Sequence, residues 1–277
     1  MTAHPSGKRH ASWSLDDIPF HEIDRDAVHD DEQLFYTLAS ASFIEITSDL
    51  YTENLIEFFR DDSEAVEWLD QHWQHEEVQH GMALRKYVET VWPEFPWMDA
   101  YRGFFDEYSG YCSVAQLASS HALEFANRCV VETGTATFYR MLSDAAPEPV
   151  LHQLAANISS DEVRHYKYFF KFFRRYRESE RPSQIRVAKT LFSRAVEIDA
   201  EDALIAFKHA YLARHPGRPF EMSAYRHFRG RTWATARSHY PFGMAFKMLL
   251  KPLDLSMPTG RIVRPLLSKL ARRVSTH

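Results

Sequence analysis

The chain has 277 residues, 45% of them hydrophobic and 26% charged, with a net charge of −5. That composition supports a large globular domain and excludes collagen-like, disulfide-stapled and charge-driven disordered classes. No run of roughly 18 apolar residues is present, so no membrane span is expected, and the first residues lack the apolar stretch of a signal peptide.

In chain order, residues 1–27 are polar and irregular and read as a flexible N-terminal arm. Long proline-free stretches with helical periodicity then predict helices over 28–60, 63–92, 113–145, 148–179 and 184–214. Pro93 and Pro96 stop the second, and Pro149 suits the first turn of the fourth. The segment 93–112 reads as a long link between two helical pairs. The expected fold is therefore all-α: a ferritin-like four-helix bundle over 28–181. Additional C-terminal helices with a basic segment follow over 182–277. Cys112 and Cys129 are the only cysteines, which points to a reducing compartment and a cytoplasmic address.

The chemistry lies in a two-fold echo. The chain holds two Glu-x-x-His pairs, Glu77 to His80 and Glu162 to His165. Residues three apart share a helix face, so each pair can aim a carboxylate and an imidazole at one point. Each pair follows a helix with its own candidate carboxylate. Glu45 lies 32 residues before Glu77, and Glu132 lies 30 before Glu162. In antiparallel helical hairpins such separations put the partners at similar heights. The result is Glu, Glu-x-x-His, Glu, Glu-x-x-His, the ligand pattern of di-iron carboxylate bundles. Four buried glutamates cannot stay ionised unaided, and two divalent ions would offset them. Carboxylate-rich ligation with histidine suits iron, with manganese as the alternative. Glu76 and Asp161 directly precede the ligand glutamates. A ligating histidine donates its second N–H to a carboxylate, so Asp161 is expected to orient His80, and Glu76 to orient His165. Glu124 stands two turns from Glu132, too far to share its metal.

At these residues the sequence resembles the soluble acyl-acyl-carrier-protein desaturases of the ferritin-like di-iron superfamily. Trp73 to Gly81 reads W-x-x-E-E-x-x-H-G, and Ser160 to His165 reads S-D-E-x-R-H. The similarity covers roughly residues 40 to 175. It implies that Glu45, Glu77, His80, Glu132, Glu162 and His165 ligate two iron ions. It also implies that Thr135 assists proton delivery, and that Trp73 stands on an electron route. The activity implied is a dioxygen-dependent desaturase or oxygenase acting on a fatty acyl chain, with an elongated apolar cavity near Gly134 and Phe138. Alternatives are an N-oxygenase or hydroxylase of a small biosynthetic substrate, or a peroxide-scavenging or iron-binding protein. Against these, Thr135 stands where rubrerythrins carry a further glutamate, and Ile158 where arylamine N-oxygenases carry a further histidine. Ferritins lack the second Glu-x-x-His.

The expected partners follow. No nucleotide fingerprint or cysteine cluster motif supplies electrons within the chain, so a ferredoxin-type or flavin reductase is required. Residues 226–277 contain eleven Lys or Arg and one acid, Asp254, which leaves the rest of the chain strongly acidic. Arg226, Arg229, Arg231, Arg237, Lys247 and Lys251, with Arg261, Arg264, Arg272 and Arg273 beyond, would attract an acidic acyl carrier protein. An anionic membrane surface is the second option, and nucleic acid is disfavoured by the acidic body. A homodimer is expected.

Overall fold

Helices are the only regular secondary structure in the computed structural model, which describes residues 13–112, 114, 117–197 and 201–254. Twelve α-helices are found among them: α1 (Arg25–Val28), α2 (Glu32–Ile46), α3 (Ser48–Phe58), α4 (Ser63–Trp68), α5 (Gln74–Val91), α6 (Trp97–Tyr108), α7 (His121–Ala145), α8 (Pro149–Glu180), α9 (Gln184–Glu197), α10 (Asp202–Arg214), α11 (Met222–His239) and α12 (Phe242–Leu249). Among these residues no helix is long and apolar enough to cross a membrane.

The helix starts follow from side chains that satisfy free backbone N–H groups. Asp31 accepts from Leu34 N at the head of α2. Ser120 accepts from Leu123 N at the head of α7. Glu148 accepts from Val150 N and Leu151 N ahead of Pro149 in α8. A π-helical turn, Leu69–Trp73, joins α4 to α5, so the rod expected over 63–92 is nearly continuous.

Two antiparallel pairs hold the centre of the molecule. In the first, Trp92 at the end of α5 donates to His29 O just before α2, while Glu45 at the other end of α2 reaches the level of Glu77 and His80. In the second, the N–H groups of His121 and Ala122 donate to the Glu180 carboxylate, which sets the register of α7 against α8. Two apolar clusters form along these pairs. One gathers the outer parts of α2 and α5 with α6, α10 and the start of α8. The other gathers α3, α4, the first half of α7, the second half of α8, and α9. Between them lies a belt of buried Glu, His and Asp side chains.

Several expectations need correction. The helix over 28–60 is interrupted at Thr47, whose hydroxyl donates to Phe43 O and lies 3.3 Å from the Tyr101 hydroxyl of α6. The link 93–112 contains a helix of its own. Trp97, Ala100, Phe104 and Tyr108 form its buried face, and Trp97 and Phe104 pack on Phe43. The third helix begins at His121, and the stretch 184–214 is two helices, α9 and α10. The N-terminal arm is packed from Trp13 onward, because its scattered apolar residues find seats. Trp13, Ile18, Phe20 and Val28 are buried, and Gln79 and Gln153 hold the backbone at Trp13 and Asp17. Residues 1–12 of that arm lie outside the described residues.

Candidate metal centre

Each of α2, α5, α7 and α8 sends one glutamate into the belt, and α5 and α8 each add a histidine. Glu45, Glu77, His80, Glu132, Glu162 and His165 are all at most 6% exposed. Their donor atoms form two groups, each spanning no more than 4.8 Å. One group is Glu45, Glu77, His80 and Glu162; the other is Glu77, Glu132, Glu162 and His165. Glu77 and Glu162 belong to both. Two groups that share two carboxylates, with one further carboxylate and one imidazole in each, are compatible with two metal positions.

The orientation of the imidazoles fits metal ions. His80 Nε2 lies 3.1 Å from Asp161 Oδ2, and His165 Nε2 lies 2.7 Å from Glu76 Oε2. Each ring therefore turns Nδ1 toward the glutamates. Nδ1 of His80 is 3.2 Å from Glu162 Oε1, and Nδ1 of His165 is 2.9 Å from Glu77 Oε1, yet neither makes a well-directed hydrogen bond. Glu132 Oε2 and Glu162 Oε1 are likewise buried without a hydrogen-bond partner. Buried polar atoms left unpaired cost about 1–3 kcal/mol each. Four of them converging on one spot mark a candidate metal site, and carboxylate-imidazole donors of this kind fit a divalent cation.

The electrostatics of the side chains agree. Burial pushes the Glu45 carboxyl up, with the Glu162 charge adding to it, and Glu77 is driven well up for the same two reasons. Burial carries Glu132 up to about 8. Burial opposes a charge on His80, but its bond to Asp161 and the adjacent Glu162 carboxylate outweigh that and hold it at about 10. His165 is raised well above its ordinary value by Glu132, Glu76 and Glu77 against the same penalty. Protons and cations thus compete for one cluster.

An outer layer ties the halves together. Arg164 donates to Asp161 Oδ1 and to Glu76 Oε2, both at 2.7 Å, so one guanidinium spans the two carboxylates that orient the two histidines. Asp161 and Glu76 are held below the usual carboxylate range despite burial, each by its histidine first and by Arg164 after it. Trp13 Nε1 donates to Asp161 Oδ2 at 2.7 Å, and its ring stacks on His80 with centroids 6.1 Å apart and planes within 4°. Trp68 meets His165 edge-on at 6.3 Å. The buried Tyr139 hydroxyl donates to Glu45 Oε1 at 2.5 Å.

Other predicted residues fall as follows. Thr135 donates to Glu162 Oε2 at 2.5 Å, beside the shared carboxylate. Trp73 is buried in the second apolar cluster, edge-on to Phe169 at 5.6 Å. Glu124 is buried away from the centre, accepting from Arg128 Nε and Ala118 N. Arg226, Arg231 and Arg237 are exposed on α11, and Arg229 lies over the Tyr225 ring. Lys247 and Lys251, with Arg140 and Lys167, line a cavity of about 590 Å³ between α7, α8 and α12, whose walls also include Val163, Met244 and Met248. None of the six inner Glu and His residues lines this cavity, nor does Gly134 or Phe138, so it is not the space expected beside those two residues. Arg261, Arg264, Arg272 and Arg273 lie outside the described residues.

Sequence reading missed Trp13, Trp68, Arg164 and Tyr139. Arg164 was within reach, since it stands inside the second Glu-x-x-His pair and precedes its histidine. Tyr139 lies two turns along α7 from Glu132, on the same face, which is a signal that could have been used. Nothing local marks Trp13. No model of a known protein family matches this chain, and no curated protein matches it.

Proposed function

We propose that this chain is a ferritin-like di-iron protein that uses dioxygen to desaturate or oxygenate a fatty acyl chain, with electrons from an external reductase. The observation that supports this reading most directly is the pair of overlapping donor groups sharing Glu77 and Glu162, with both Nδ1 atoms turned inward. In this reading Glu45, Glu77, His80, Glu132, Glu162 and His165 would hold the two ions, with Glu77 and Glu162 within reach of both positions. Two iron ions held there would supply the redox chemistry that activates dioxygen for attack on an unactivated C–H bond.

The chain's own residues set the conditions for that chemistry. Glu76, Asp161 and Arg164 fix both imidazoles in the tautomer that presents Nδ1 inward. Thr135, whose hydroxyl meets Glu162 Oε2, holds a proton at the edge of the centre. The two apolar clusters on either side exclude water, which protects a strong oxidant from side reactions. Trp13, through Asp161 to His80, offers a bonded path from an outer element to the centre. A carrier-borne acyl chain is the substrate form we favour, because Lys167, Lys247 and Lys251 leave cations beside an apolar cavity wall.

The test is reconstitution. Protein loaded with ferrous iron should hold two metals per chain and lose them in Glu77→Ala and Glu162→Ala. With a reductase system it should consume dioxygen in proportion to oxidised acyl product. Rapid consumption of peroxide, with acyl-carrier and small-molecule substrates untouched, would instead establish the scavenging alternative.

A further inference from the structure

The cavity between α7, α8 and α12 has a wall of its own on α8, from Ala156 through Ser159, Ser160 and Val163 to Tyr166 and Lys167. These positions recur every three or four residues, so they share one helix face, about 16 Å long. Tyr166 donates to Met248 O at 2.7 Å, which fixes α12 as the opposing wall. Met248 is buried, and Ala156, Val163 and Met244 are half-buried. A space of about 590 Å³ with an apolar wall and a few polar groups is of the size and character that hold small molecules.

Charge decides what fills it. At one end the polar groups bond to one another: Arg140 Nε donates to Asp144 Oδ1 at 3.0 Å, and His152 Nδ1 lies 2.9 Å from Ser143 O. At the other end stand Lys167, Lys247 and Lys251, which make no ion pair among the described residues. Lys251 Nζ lies 4.5 Å over the Phe170 ring, next to Tyr166. The chain holds 38 acids against 33 Lys and Arg, yet Asp144 is the only acid lining the cavity, and Arg140 takes it. Three cations without counter-charge beside an apolar wall call for an anion with an apolar part. A carboxylate would offset one of the three charges. A phosphate monoester carries about −1.5 to −2 near neutral pH and offers three acceptor oxygens. A recess between three helices admits such a head and a single chain, but not the face of a folded protein.

We infer that this cavity binds a single-chain amphiphile with a phosphate monoester head, the phosphate held by Lys167, Lys247 and Lys251 and the chain laid along Ala156, Val163 and Met244. The lysines that favour a carrier-borne chain in the proposed reaction here hold a small ligand of their own. The site is defined by binding alone, since none of the six inner residues lines it, and it stands whether or not the centre oxidises anything. Exposed ammonium groups are screened by salt, so the affinity should fall as ionic strength rises.

The experiment is titration calorimetry of the full chain, metal-free and iron-loaded, with octyl phosphate, octanoate and inorganic phosphate. Octyl phosphate should bind at least about tenfold more tightly than either of the others, because its chain adds apolar burial and its head carries the larger charge. Its affinity should be the same with and without iron. Combined Lys167→Gln and Lys247→Gln should weaken it by roughly tenfold, the effect of two partly screened ion pairs, and arginine at both positions should restore it. Both lysines are exposed and unpaired, so circular dichroism and thermal unfolding of the glutamine variant should match the wild type. Inorganic phosphate binding as tightly as octyl phosphate would reduce the cavity to a patch of surface lysines and overturn the inference. So would a preference for octanoate, binding confined to the iron-loaded protein, or an unaffected glutamine variant. Capture of an acidic carrier protein by a chain that ignores octyl phosphate would overturn it too, while leaving the proposed oxidation standing.

Discussion

Replacing Gly81 with alanine should empty one half of the metal centre and spare the other. Gly81 follows His80 on α5 and faces α2 at closest approach. A Cβ there would sit 2.5 Å from Ile46 N and 3.0 Å from Ile46 Cα, against an ordinary contact of 3.4–4 Å. A side chain could swing away, but a helix backbone cannot, so α2 must retreat from α5 by about 1 Å. Overpacking of this kind costs about 1–3 kcal/mol, which for a chain of this size lowers Tm by roughly 2–10 °C. The displaced residue is the immediate neighbour of Glu45, whose carboxylate already stands 4.0 Å from His80 Nδ1. Its retreat weakens the group of Glu45, Glu77, His80 and Glu162, while Glu132 and His165 lie on α7 and α8 and keep their positions. Metal content, measured on iron-loaded protein after gel filtration, should fall from two per chain toward one, and calorimetry should show the lower Tm. Gly230→Ala is the control, since a Cβ there meets nothing within 4 Å. An alanine variant at 81 that keeps two metals and an unchanged Tm would refute the reasoning.

Three further outcomes are expected. Glu132→Ala should reduce metal content, whereas Glu124→Ala should leave it intact and cost about 3–5 kcal/mol of stability by stranding the buried Arg128; the opposite pattern in metal analysis would overturn the assignment on α7. Trp13→Phe removes the bond to Asp161 while keeping an aromatic ring, so stopped-flow reduction of the loaded centre should slow with metal content unchanged; equal reduction rates would deny Trp13 a part in electron delivery. Metal-free protein should lose stability as pH rises between about 6.5 and 8. Glu132, raised from 4.5 to about 8, binds its proton more tightly in the folded state, so its contribution is lost as pH rises through about 8. His80, raised from 6.5 to about 10, contributes fully below 6.5 and loses that contribution toward 10. Cations displace those protons, so Tm of the loaded protein should hold or rise over the same range; a metal-free Tm that rises with pH would contradict this account.

What could be read from the chain and what could not divide along a physical line. A glutamate and a histidine three residues apart on a helix point the same way whatever surrounds them. Two such pairs, each about thirty residues after another glutamate, meet wherever long helices pair antiparallel, so the six inner residues were legible. The interruption at Thr47 was not, because threonine is tolerated inside helices and nothing local announces that its hydroxyl will meet Tyr101 of α6. That helix was itself hidden: its stripe at 97, 100, 104 and 108 is short, interspersed with acids and a glycine, and preceded by two prolines that read as a link. Trp13 is the extreme case. Its partner lies 148 residues away, and a lone tryptophan in a polar stretch carries no local preference for a buried carboxylate. The same division applies to the chemistry. Which six residues converge rests on helix geometry and can be written locally. The groups that tune the centre, Trp13 on Asp161 and Tyr139 on Glu45, depend on which distant segment fills each gap around the belt. On the proposed function, substrate choice would rest with those groups, because six carboxylate and imidazole donors alone do not select a substrate.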